Sequence, residues 1–596
     1  MRQLEIFPNL LTMFFTRVRE KGDAPFLWRH GQNGWESMSW NEVAEQVCAL
    51  ADALQRLGLQ RGDRVMLVSE NRPEWCIADL GIMAAGCITV PTYTTNTERD
   101  HTHILEDSRS RAVIVSTQQL AKTVTSAALN ATHCKSIIGI EPMRIGQGGD
   151  IQYHDWSSLL GAETPDIDAR IEACDFERED TACIIYTSGT GGAPRGVMQH
   201  HGAILHNCEG CVAVISEDFG WKDEAFLSFL PLSHAYEHSG GQFFPIGLGA
   251  QIYYSRGLDK LAADILETRP TIMVVVPRLF EVLRQRLLKT IEKQGKFPNY
   301  MLQKALDIGE KDYEGSVPLK DKPMDILLDV ILRPKIRKRF GGRLKALVSG
   351  GAPLSPEIGI FFHSLGLTLL QGYGQTEAAP VISCNRPKTG LKMDTVGPPL
   401  PKTEVKIAED GEILVKGELV MHGYWRNEEE TAKALRDGWL HTGDIGHIDE
   451  AGRIAITDRK KDLIVNDKGD NVAPQRVEGM LTLEPEILQA MVFGDKRPHL
   501  VGLIVPDPEW VREWAAENGV PNDEIALRES PEFHKAVSAA VDRVNKGLAT
   551  VEKVRRTILA DEPFTVENEQ LTPKQSIRRH VLKEVYSDRL SALYRH

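Results

Sequence analysis

Short apolar runs alternate with helical patterns through the first half of the chain, and this alternation restricts the fold more than any other feature of the sequence. Ser39 and Glu42 form a capping-box pattern, and apolar residues follow it at helical spacing. Strand-like runs at 64–69 and 88–90 lie on either side of a helical pattern at 73–86. Because strands that alternate with helices form parallel sheets with both faces covered, the pattern predicts an α/β fold. Further strand-like runs lie at 112–115, 136–140, 226–230, 252–254 and 272–276.

Other parts of the chain differ in composition and in their predicted secondary structure. Residues 142–180 are rich in Gly, Asp, Glu and Pro and are expected to form a surface connection. Short β segments with turn signals at 395–457 predict a small β-barrel-like subdomain, and a charged junction follows at 458–462. We therefore predict a large N-terminal domain at 1–457 of stacked, mostly parallel sheets with helices, including the small β-barrel subdomain. The remaining residues, 463–596, predict a small α+β C-terminal domain.

The composition excludes several classes of protein. The chain has 596 residues, 42% of them hydrophobic and 26% charged, as is typical of globular proteins. Its formal net charge of −13 argues against a general nucleic-acid-binding protein. No apolar run is long enough to predict a transmembrane helix. The nine cysteines lie mostly in apolar runs, which favours buried thiols in a reducing cytoplasm, and we interpret the Cys208/Cys211 pair as part of a core helix.

Residues 281–340 form a long, charged insertion with helical patterning. A solvated helical face explains such a segment. A contact with a membrane surface, for delivery of a greasy substrate, also explains it. The basic residues on which this second interpretation depends are Arg333, Lys335, Arg337, Lys338 and Arg339.

A glycine-rich loop follows the strand-like run 183–186. The loop, 187–192, consists of small hydroxyl residues and glycines, and Arg195 follows it. Backbone N–H groups of such a loop can surround phosphate oxygens, because glycine allows left-handed backbone and close approach. Arg195 adds a fixed positive charge. No Gly-Lys-Ser/Thr closes the loop, so it is not a P-loop, and a flexible glycine loop is the plainer interpretation of these residues alone.

Four more blocks carry residues suited to nucleotide chemistry. Tyr373 can stack on a purine, Thr376 can donate to a phosphate, and Glu377 can ligate Mg²⁺. Asp444 can accept hydrogen bonds from both hydroxyls of a ribose. Taken singly, each block also fits a structural histidine, a glycine turn, a surface glutamate or a turn aspartate. The blocks are Leu-Pro-Leu-Ser-His-Ala-Tyr-Glu at 230–237, Leu-Val-Ser-Gly-Gly-Ala-Pro-Leu at 347–354, Gln-Gly-Tyr-Gly-Gln-Thr-Glu at 371–377 and Gly-Trp-Leu-His-Thr-Gly-Asp at 438–444.

In this order the loop and the four blocks resemble the acyl-adenylate-forming superfamily, over about residues 25 to 580. Residues 270–278, the helical insertion, and residues 337–344 resemble long-chain acyl-CoA synthetases in particular. Two positions depart from the family pattern, which has Thr where Gly191 stands and Lys where Arg195 stands. The resemblance implies activation of a long-chain fatty acid by ATP to acyl-AMP, followed by thioester formation with CoA. It implies Mg²⁺ as cofactor.

The resemblance also implies roles for single residues. Thr187, Arg195 and Glu377 would be catalytic, with Glu377 as the metal ligand. In this family the C-terminal domain moves between the first and the second reaction step, and it rotates about the charged junction at 458–462. Lys461 would then be the hinge, and the movement would bring the loop 467–470 to the site. The implied contacts are the phosphate loop at Thr187, Ser188, Gly189, Thr190, Gly191 and Arg195, the adenine turn at Gly350, Gly351, Ala352 and Pro353, further nucleotide contacts at Gln371, Tyr373, Gly374 and Thr376, ribose contacts at Asp444 and Arg459, and the acyl pocket at His234 and Tyr236.

A departure near the C-terminus affects the first step. The family places a catalytic lysine three residues after a Leu-Thr-Pro motif, whereas the chain has Ser576 at that position and Lys574 two residues earlier. If the segment is extended, Lys574 points to the same side about 6.5 Å away. We therefore predict that Lys574 substitutes as a fourth catalytic residue.

Three functions remain open from the sequence. The first is a long-chain fatty acid–CoA ligase. The second is a ligase that stops at acyl-AMP or delivers the acyl group to a carrier protein. The third is a homologue that binds nucleotide or fatty acid with weakened catalysis, for which Ser576, Gly191 and Arg195 are the reason. We expect a cytoplasmic protein with no nucleic-acid partner. Peripheral contact with the inner face of a membrane and a homodimer are both left open.

Overall fold

The computed structural model describes residues 3–144, 150–187, 194–460, 462–468, 470–572 and 576–595. Several predicted functional residues lie outside these ranges, and their roles stay predictions. They are Ser188, Gly189, Thr190, Gly191, Lys461 and Lys574, together with Gly469 of the 467–470 loop.

Helices and strands alternate through the first part of the chain, as the sequence predicts. The capping box is present, because the Ser39 hydroxyl accepts from the Glu42 N–H (3.1 Å) and the Glu42 carboxylate accepts from the Ser39 N–H (2.7 Å). In chain order the elements of residues 10–254 are α1 Leu10–Lys21, β1 Pro25–Gly31, β2 Gly34–Ser39, α2 Trp40–Arg56, β3 Arg64–Val68, α3 Pro73–Ala84, β4 Ile88–Pro91, α4 Glu98–Ser108, β5 Ala112–Val115, α5 Gln118–Leu129, β6 Ser136–Gly139, β7 Gln152–Asp155, α6 Trp156–Leu160, α7 Ile167–Ala173, β8 Thr181–Thr187, β9 Arg195–His200, α8 His201–Phe219, β10 Ala225–Ser228, α9 Ala235–Glu237, α10 Phe244–Leu248 and β11 Gln251–Tyr254.

The next part contains the predicted helical insertion. Helices α12 to α15 lie between strands β12 and β13, and a short 3₁₀ turn precedes α14. The elements are α11 Leu261–Thr268, β12 Ile272–Val275, α12 Pro277–Lys293, α13 Lys296–Tyr313, α14 Lys322–Ile331, α15 Arg333–Arg339, β13 Ala346–Ser349, α16 Pro356–Ser364, β14 Leu369–Gly374 and β15 Val381–Cys384.

Two eight-stranded sheets organise the described residues up to Cys384, together with the later strand β18, Gly423–Tyr424. The first has the order β15-β14-β13-β12-β10-β11-β1-β2, and the second β18-β9-β8-β4-β3-β5-β6-β7. Inner neighbours such as β3 and β5 pair parallel, whereas β2, β15, β9 and β18 pair antiparallel at the edges. Apolar runs such as 112–115 are completely buried because helices cover both faces of each sheet. This architecture confirms the predicted α/β class.

One expectation from the sequence is wrong. Residues 150–180 are not only surface connection, since β7 forms the edge of the second sheet and α6 and α7 follow it. Trp156 and Phe176 are buried in the main core. The strand was missed because its four residues, Gln-Tyr-His-Asp, are polar and carry no apolar run.

Antiparallel strands build the predicted small β subdomain. Strands β16, β17, β19, β20 and β21 form a five-stranded sheet, while β18 joins the second large sheet. The elements are β16 Glu404–Ile407, β17 Glu412–Lys416, β18 Gly423–Tyr424, α17 Glu428–Ala434, β19 Leu435–Arg436, β20 Trp439–Ile448 and β21 Ile454–Arg459.

The C-terminal part has apolar clusters of its own, and their members come from position 464 onward. A three-stranded sheet, β24-β25-β26, carries helices on both faces. No helix in the described ranges is long and apolar enough to cross a membrane. The elements are β22 Ile464–Val465, β23 Asn471–Val472, α18 Pro474–Leu481, β24 Ile487–Phe493, β25 Leu500–Pro506, α19 Pro508–Asn518, α20 Glu524–Glu529, α21 Pro531–Asn545, β26 Val554–Leu559, α22 Arg579–Val585 and α23 Ser587–Ala592.

Candidate active site

The two ends of the predicted phosphate loop lie side by side. Thr187, the last residue of β8, pairs in register with Arg195, the first residue of β9. The Arg195 guanidinium forms an ion pair with Glu430 of α17 and lies over the ring of Tyr424, 4.5 Å from its centroid. A fixed cation therefore lies at the base of the loop, held by Tyr424 of β18 and Glu430 of α17.

Tyr424 connects this cation to the predicted metal ligand. Its hydroxyl donates to Glu377 Oε1 at 2.9 Å. The main chain around Glu377 is also fixed, because its carbonyl accepts from the Met421 N–H (2.9 Å) and the Thr376 carbonyl accepts from Gln199 Nε2 (2.7 Å). Thr376 itself is buried. Arg195, Tyr424 and Glu377 thus form one continuous series of contacts.

The Glu377 carboxylate fits a site for a hard cation. It is half-buried, and its one hydrogen-bond donor given by the structure is the neutral Tyr424 phenol. Among the described residues, no lysine or arginine forms an ion pair with it. A carboxylate that no described cation neutralises, beside the predicted phosphate loop, suits Mg²⁺, which takes few protein ligands and shares phosphate oxygens.

Tyr373, Asp444 and Arg459 form a second constellation. The Tyr373 hydroxyl donates to Asp444 Oδ2 at 2.7 Å, and Arg459 Nε donates to Asp444 Oδ1 at 3.1 Å. Asp444 and Arg459 also face each other in the β20–β21 register. Each carboxylate oxygen keeps a lone pair for a further donor, such as a ribose hydroxyl.

The pKa of Asp444 responds to groups from both constellations, the Arg195–Tyr424–Glu377 series and the Tyr373–Asp444–Arg459 group. Burial raises the pKa of the Asp444 carboxyl above its ordinary value, while the Arg459 charge and the Tyr373 hydroxyl oppose the rise. The negative charge of Glu377 adds to it. The hydrogen bond from Tyr373, four residues before Glu377, places Asp444 beside the segment that carries Glu377.

The glycine turn after β13 meets the Leu-Pro-Leu-Ser-His-Ala-Tyr-Glu block. A Cβ at Gly350 would lie 2.8 Å from Tyr236 Cζ, so the ring can pack there only because the residue is glycine. The Tyr236 hydroxyl donates to the Val348 carbonyl at 2.8 Å. Gly351 has φ +81°, and the following Ala352 and Pro353 are exposed and open to a ligand.

Strand β14 supports this turn from the other side. Gln371 is buried, and its Nε2 donates to the Leu354 carbonyl at 3.4 Å. Gly374 has no room for a side chain, since a Cβ would lie 1.9 Å from the Pro380 carbonyl oxygen. Both residues therefore shape the backbone around the predicted nucleotide site.

His234 has a local structural contact as well as its predicted role. Its Nδ1 accepts from the Tyr236 N–H at 3.0 Å and caps the short helix α9. Tyr236 is mostly buried and His234 is half-buried. Their assignment to an acyl pocket stays a prediction.

The extended geometry assumed between Lys574 and Ser576 involves residues outside the described ranges, but the two flanks of this segment lie side by side. The Thr572 N–H donates to the Ser576 carbonyl at 2.8 Å, and Leu571 pairs antiparallel with Ile577. A fully extended segment would hold Thr572 and Ser576 about 13 Å apart, and this hydrogen bond instead holds them in contact. Ser576 itself is exposed.

Tyr424 and Glu430 are contacts of the site that sequence reasoning missed. Tyr424 ends β18 and Glu430 lies in the following helix α17, and they reach Arg195 because β18 pairs with β9. That pairing joins residues more than 200 positions apart in the chain. A single tyrosine and a single glutamate in a turn-rich segment give no local signal for it.

A group that could hold a metal lies at the other end of β9. The potential ligand atoms of Glu179, His200 and His422 all lie within 4.8 Å of one another. However, the two ring nitrogens of His200 already face the carbonyls of Arg178 (2.9 Å) and Val420 (3.2 Å). Hydrogen bonds already satisfy this group, and we assign no metal to it.

Glu237, next to Tyr236, is a buried carboxyl group. It accepts from the Ser228 hydroxyl at 2.6 Å. Burial raises the pKa of Glu237 from 4.5 to about 8, against the opposing effect of the Ser228 hydrogen bond. The folded protein therefore holds this carboxyl group protonated at neutral pH.

This buried acid makes folding stability depend on pH. Because the folded pKa is the higher one, the contribution of Glu237 is fully present below pH 4.5 and is lost as the pH rises through about 8. The neutral Glu237→Gln variant loses this dependence, so its melting temperature relative to wild type is expected to rise from pH about 5 to about 8. Thermal unfolding of both proteins across that range measures it. A difference that stays constant with pH would contradict the assignment.

Comparisons with known proteins give the family context. The sequence profile of a family described as AMP-binding enzyme matches residues 14–425, and that of the AMP-binding enzyme C-terminal domain matches residues 461–596. Long-chain-fatty-acid–CoA ligase FadD15 of Mycobacterium tuberculosis is 32% identical over 98% of this chain and 97% of its own length. Long chain acyl-CoA synthetase 1 of Arabidopsis thaliana is 30% identical over 100% of this chain and 92% of its own length.

Solved structures show the same fold. The adenylation domain of a carboxylate reductase from Mycobacterium chelonae superposes with a TM-score of 0.75 at 22% identity, covering 99% of this chain and 92% of its own. The A domain of a carboxylic acid reductase from Segniliparus rugosus, solved with AMP and a co-purified carboxylic acid, gives 0.74 at 20% identity, covering 98% and 94%.

Proposed function

The chain belongs to the AMP-binding enzyme family, and from this premise we propose that it is a long-chain fatty acid–CoA ligase that uses ATP. Its relatives at 30–32% identity over nearly their whole length carry long-chain ligase and synthetase names, and this supports the choice of substrate. The single observation that carries the proposal is the hydrogen bond from Tyr373 to Asp444, which joins the segment that contains Glu377 to the Asp444–Arg459 pair.

We propose two chemical steps. The fatty carboxylate attacks the α-phosphate of ATP, which forms acyl-AMP and releases pyrophosphate. The CoA thiol then attacks the acyl carbon and releases AMP. No covalent intermediate with the protein is required, so the protein acts by positioning the reactants and by balancing charge. Thr187 and Arg195 would hold the phosphates, Tyr373 the base, and Asp444 with Arg459 the ribose.

Glu377 would hold Mg²⁺. When bound, the ion would offset negative charge on the phosphates during the first step. The carboxylate is suited to this role because its donor, the Tyr424 hydroxyl, is neutral. No described cation forms an ion pair with it. Arg195, which does have an anionic partner in Glu430, would exchange that partner for a phosphate oxygen.

We also propose that the C-terminal part, 463–596, moves about the junction at 458–462, with Lys461 as the hinge. Contacts across this boundary include ion pairs from Lys289 on α12 to Glu509 and Glu513 on α19, at 3.0 and 3.5 Å. These side chains are about half exposed, and exposed ion pairs stabilise an interface only slightly. Their separation therefore opposes the movement little.

A product assay tests the function. The protein is incubated with ATP, Mg²⁺ and fatty acids of different lengths, with and without CoA, and pyrophosphate, acyl-AMP and AMP are measured. We expect pyrophosphate release with long-chain acids and AMP release that depends on CoA. Acyl-AMP that accumulates despite CoA would indicate a ligase with another acceptor, and absence of pyrophosphate would indicate a binding protein without catalysis.

Asp444→Asn tests the ribose contact. The substitution removes the charge that accepts from Tyr373 and Arg459, so we expect KM for ATP to rise about tenfold or more, as for loss of a hydrogen bond to a charged group. Tyr373→Phe, which keeps the ring and removes only the hydroxyl, is the matched control and should have the smaller effect. Pyrophosphate-release kinetics measure both. An unchanged KM for ATP in the Asp444 variant would refute the contact.

A further inference from the structure

Helix α14 leaves most of its apolar side chains in solvent. Ile326, Leu327 and Val330 are 65%, 40% and 71% exposed, and Leu319, in the 3₁₀ turn before the helix, is 79% exposed. Leu328 is the buried side chain of this helix. Ile326 and Val330 are four positions apart and share one helix face. We call these four exposed residues the α14 surface. Clustered exposed apolar side chains indicate a surface that contacts something else.

The segment around this surface is basic, although the whole chain is acidic. Residues 319–339 contain seven Lys and Arg and three Asp, a net charge of +4, whereas the chain carries −13. Each aspartate of the segment already has a cationic partner: Asp321 pairs with Lys311, and Asp325 and Asp329 pair with Arg333. The exposed lysines, with no ion pair to any described carboxylate, are Lys320, Lys322, Lys335 and Lys338.

One of the five basic residues that the sequence suggested for a membrane contact does not face solvent. Arg333 is buried at 8% exposure, and its Nε donates to the Ser364 carbonyl at 3.1 Å. The packing of α15 against the end of α16 explains this. The positive charge available to a partner therefore comes from the exposed basic residues of this segment, which are Lys320, Lys322, Lys335, Arg337, Lys338 and Arg339.

We propose that the α14 surface inserts into the interfacial region of a membrane that contains anionic phospholipids. Apolar side chains flanked by lysines are the combination that holds a helix in the plane of a bilayer surface. The lysines would contact lipid phosphates, and the apolar side chains would enter the boundary of the acyl region. The proposal rests on the proposed function for its purpose, which is uptake of a fatty acid dissolved in the membrane.

The charges favour a membrane over a second copy of the chain. In a twofold interface centred on α14, the lysines of one copy would lie near those of the other, and like charges at short range oppose association. An anionic bilayer instead offers charges complementary to them.

Vesicle binding by the full-length protein tests the proposal. Binding is measured by sedimentation, at low and high salt, with vesicles of phosphatidylcholine alone or of equal parts phosphatidylcholine and phosphatidylglycerol, and without fatty acid, ATP or CoA. We expect binding to the anionic vesicles that falls with salt. Ile326→Ser combined with Val330→Ser should lower the partition coefficient about tenfold or more, because two apolar side chains no longer insert. Lys320→Glu combined with Lys322→Glu should lower it similarly.

Ile525→Ser is the matched control, because Ile525 is 73% exposed in the C-terminal part. It should bind like wild type. Equal binding of all variants, equal binding to neutral vesicles, or no binding at low salt would overturn the proposal. So would self-association without lipid that the α14 substitutions abolish, as measured by sedimentation velocity. Since no substrate is present, failure here leaves the proposed ligase activity intact, and absence of ligase activity leaves the binding result intact.

Discussion

Replacing Glu377 by glutamine is expected to lower the rate of acyl-AMP formation about 10²–10³-fold, as for removal of a preorganised electrostatic contact to the transition state. The amide oxygen of glutamine can still accept from the Tyr424 hydroxyl, so the local structure survives while the charge that would hold Mg²⁺ is lost. Pyrophosphate release at saturating ATP and fatty acid measures the effect. A higher Mg²⁺ requirement should accompany it.

Glu179→Gln is the control for this experiment. Glu179 is also a glutamate beside an aromatic donor, His422, but it lies at the other end of β9 and is 72% exposed. Its loss should leave acyl-AMP formation unchanged. Glu377→Gln with wild-type turnover and an unchanged Mg²⁺ requirement would remove Glu377 from the mechanism.

Lys574→Ala is expected to lower acyl-AMP formation about 10²–10³-fold, because one preorganised donor to the α-phosphate is lost. Thioester formation from supplied acyl-AMP should change little, since the lysine is assigned only to the first step. The hydrogen bond from the Thr572 N–H to the Ser576 carbonyl brings the two flanks of Lys574 together.

Two further variants sharpen this test. Lys546→Ala removes an exposed lysine of the same part of the chain and should have no effect. Ser576→Lys, added to Lys574→Ala, supplies a lysine at the position where the family has one and should restore much of the first step. If Lys574→Ala forms acyl-AMP at the wild-type rate, Lys574 has no catalytic role.

The fold could be predicted from the sequence where local patterns decide the structure. Apolar runs such as 112–115 became buried parallel strands, and the Ser39–Glu42 capping box begins α2. Strand β7 could not be predicted, because its polar residues owe their conformation to β6, their neighbour in the sheet.

The residues of the candidate site could be predicted where they lie within a recognisable sequence motif. Tyr373 and Glu377 lie in one block and Asp444 in another, and the structure joins the two blocks through the hydrogen bond from Tyr373 to Asp444. Tyr424 and Glu430 could not be found, because their role depends on strand pairing between distant segments. The α14 surface also needed the structure, since sequence periodicity does not show which face of a helix the rest of the chain leaves uncovered.

The central claim is that these separated segments bind one nucleotide beside an activated acid. A crystal structure with a non-hydrolysable ATP analogue, Mg²⁺ and a long-chain acid tests it most directly. We expect the base at Tyr373 and the 350–353 turn, the ribose on Asp444, the metal on Glu377 and the triphosphate at Thr187 and Arg195. A nucleotide bound elsewhere, away from Tyr373, Glu377 and Asp444, would contradict the account.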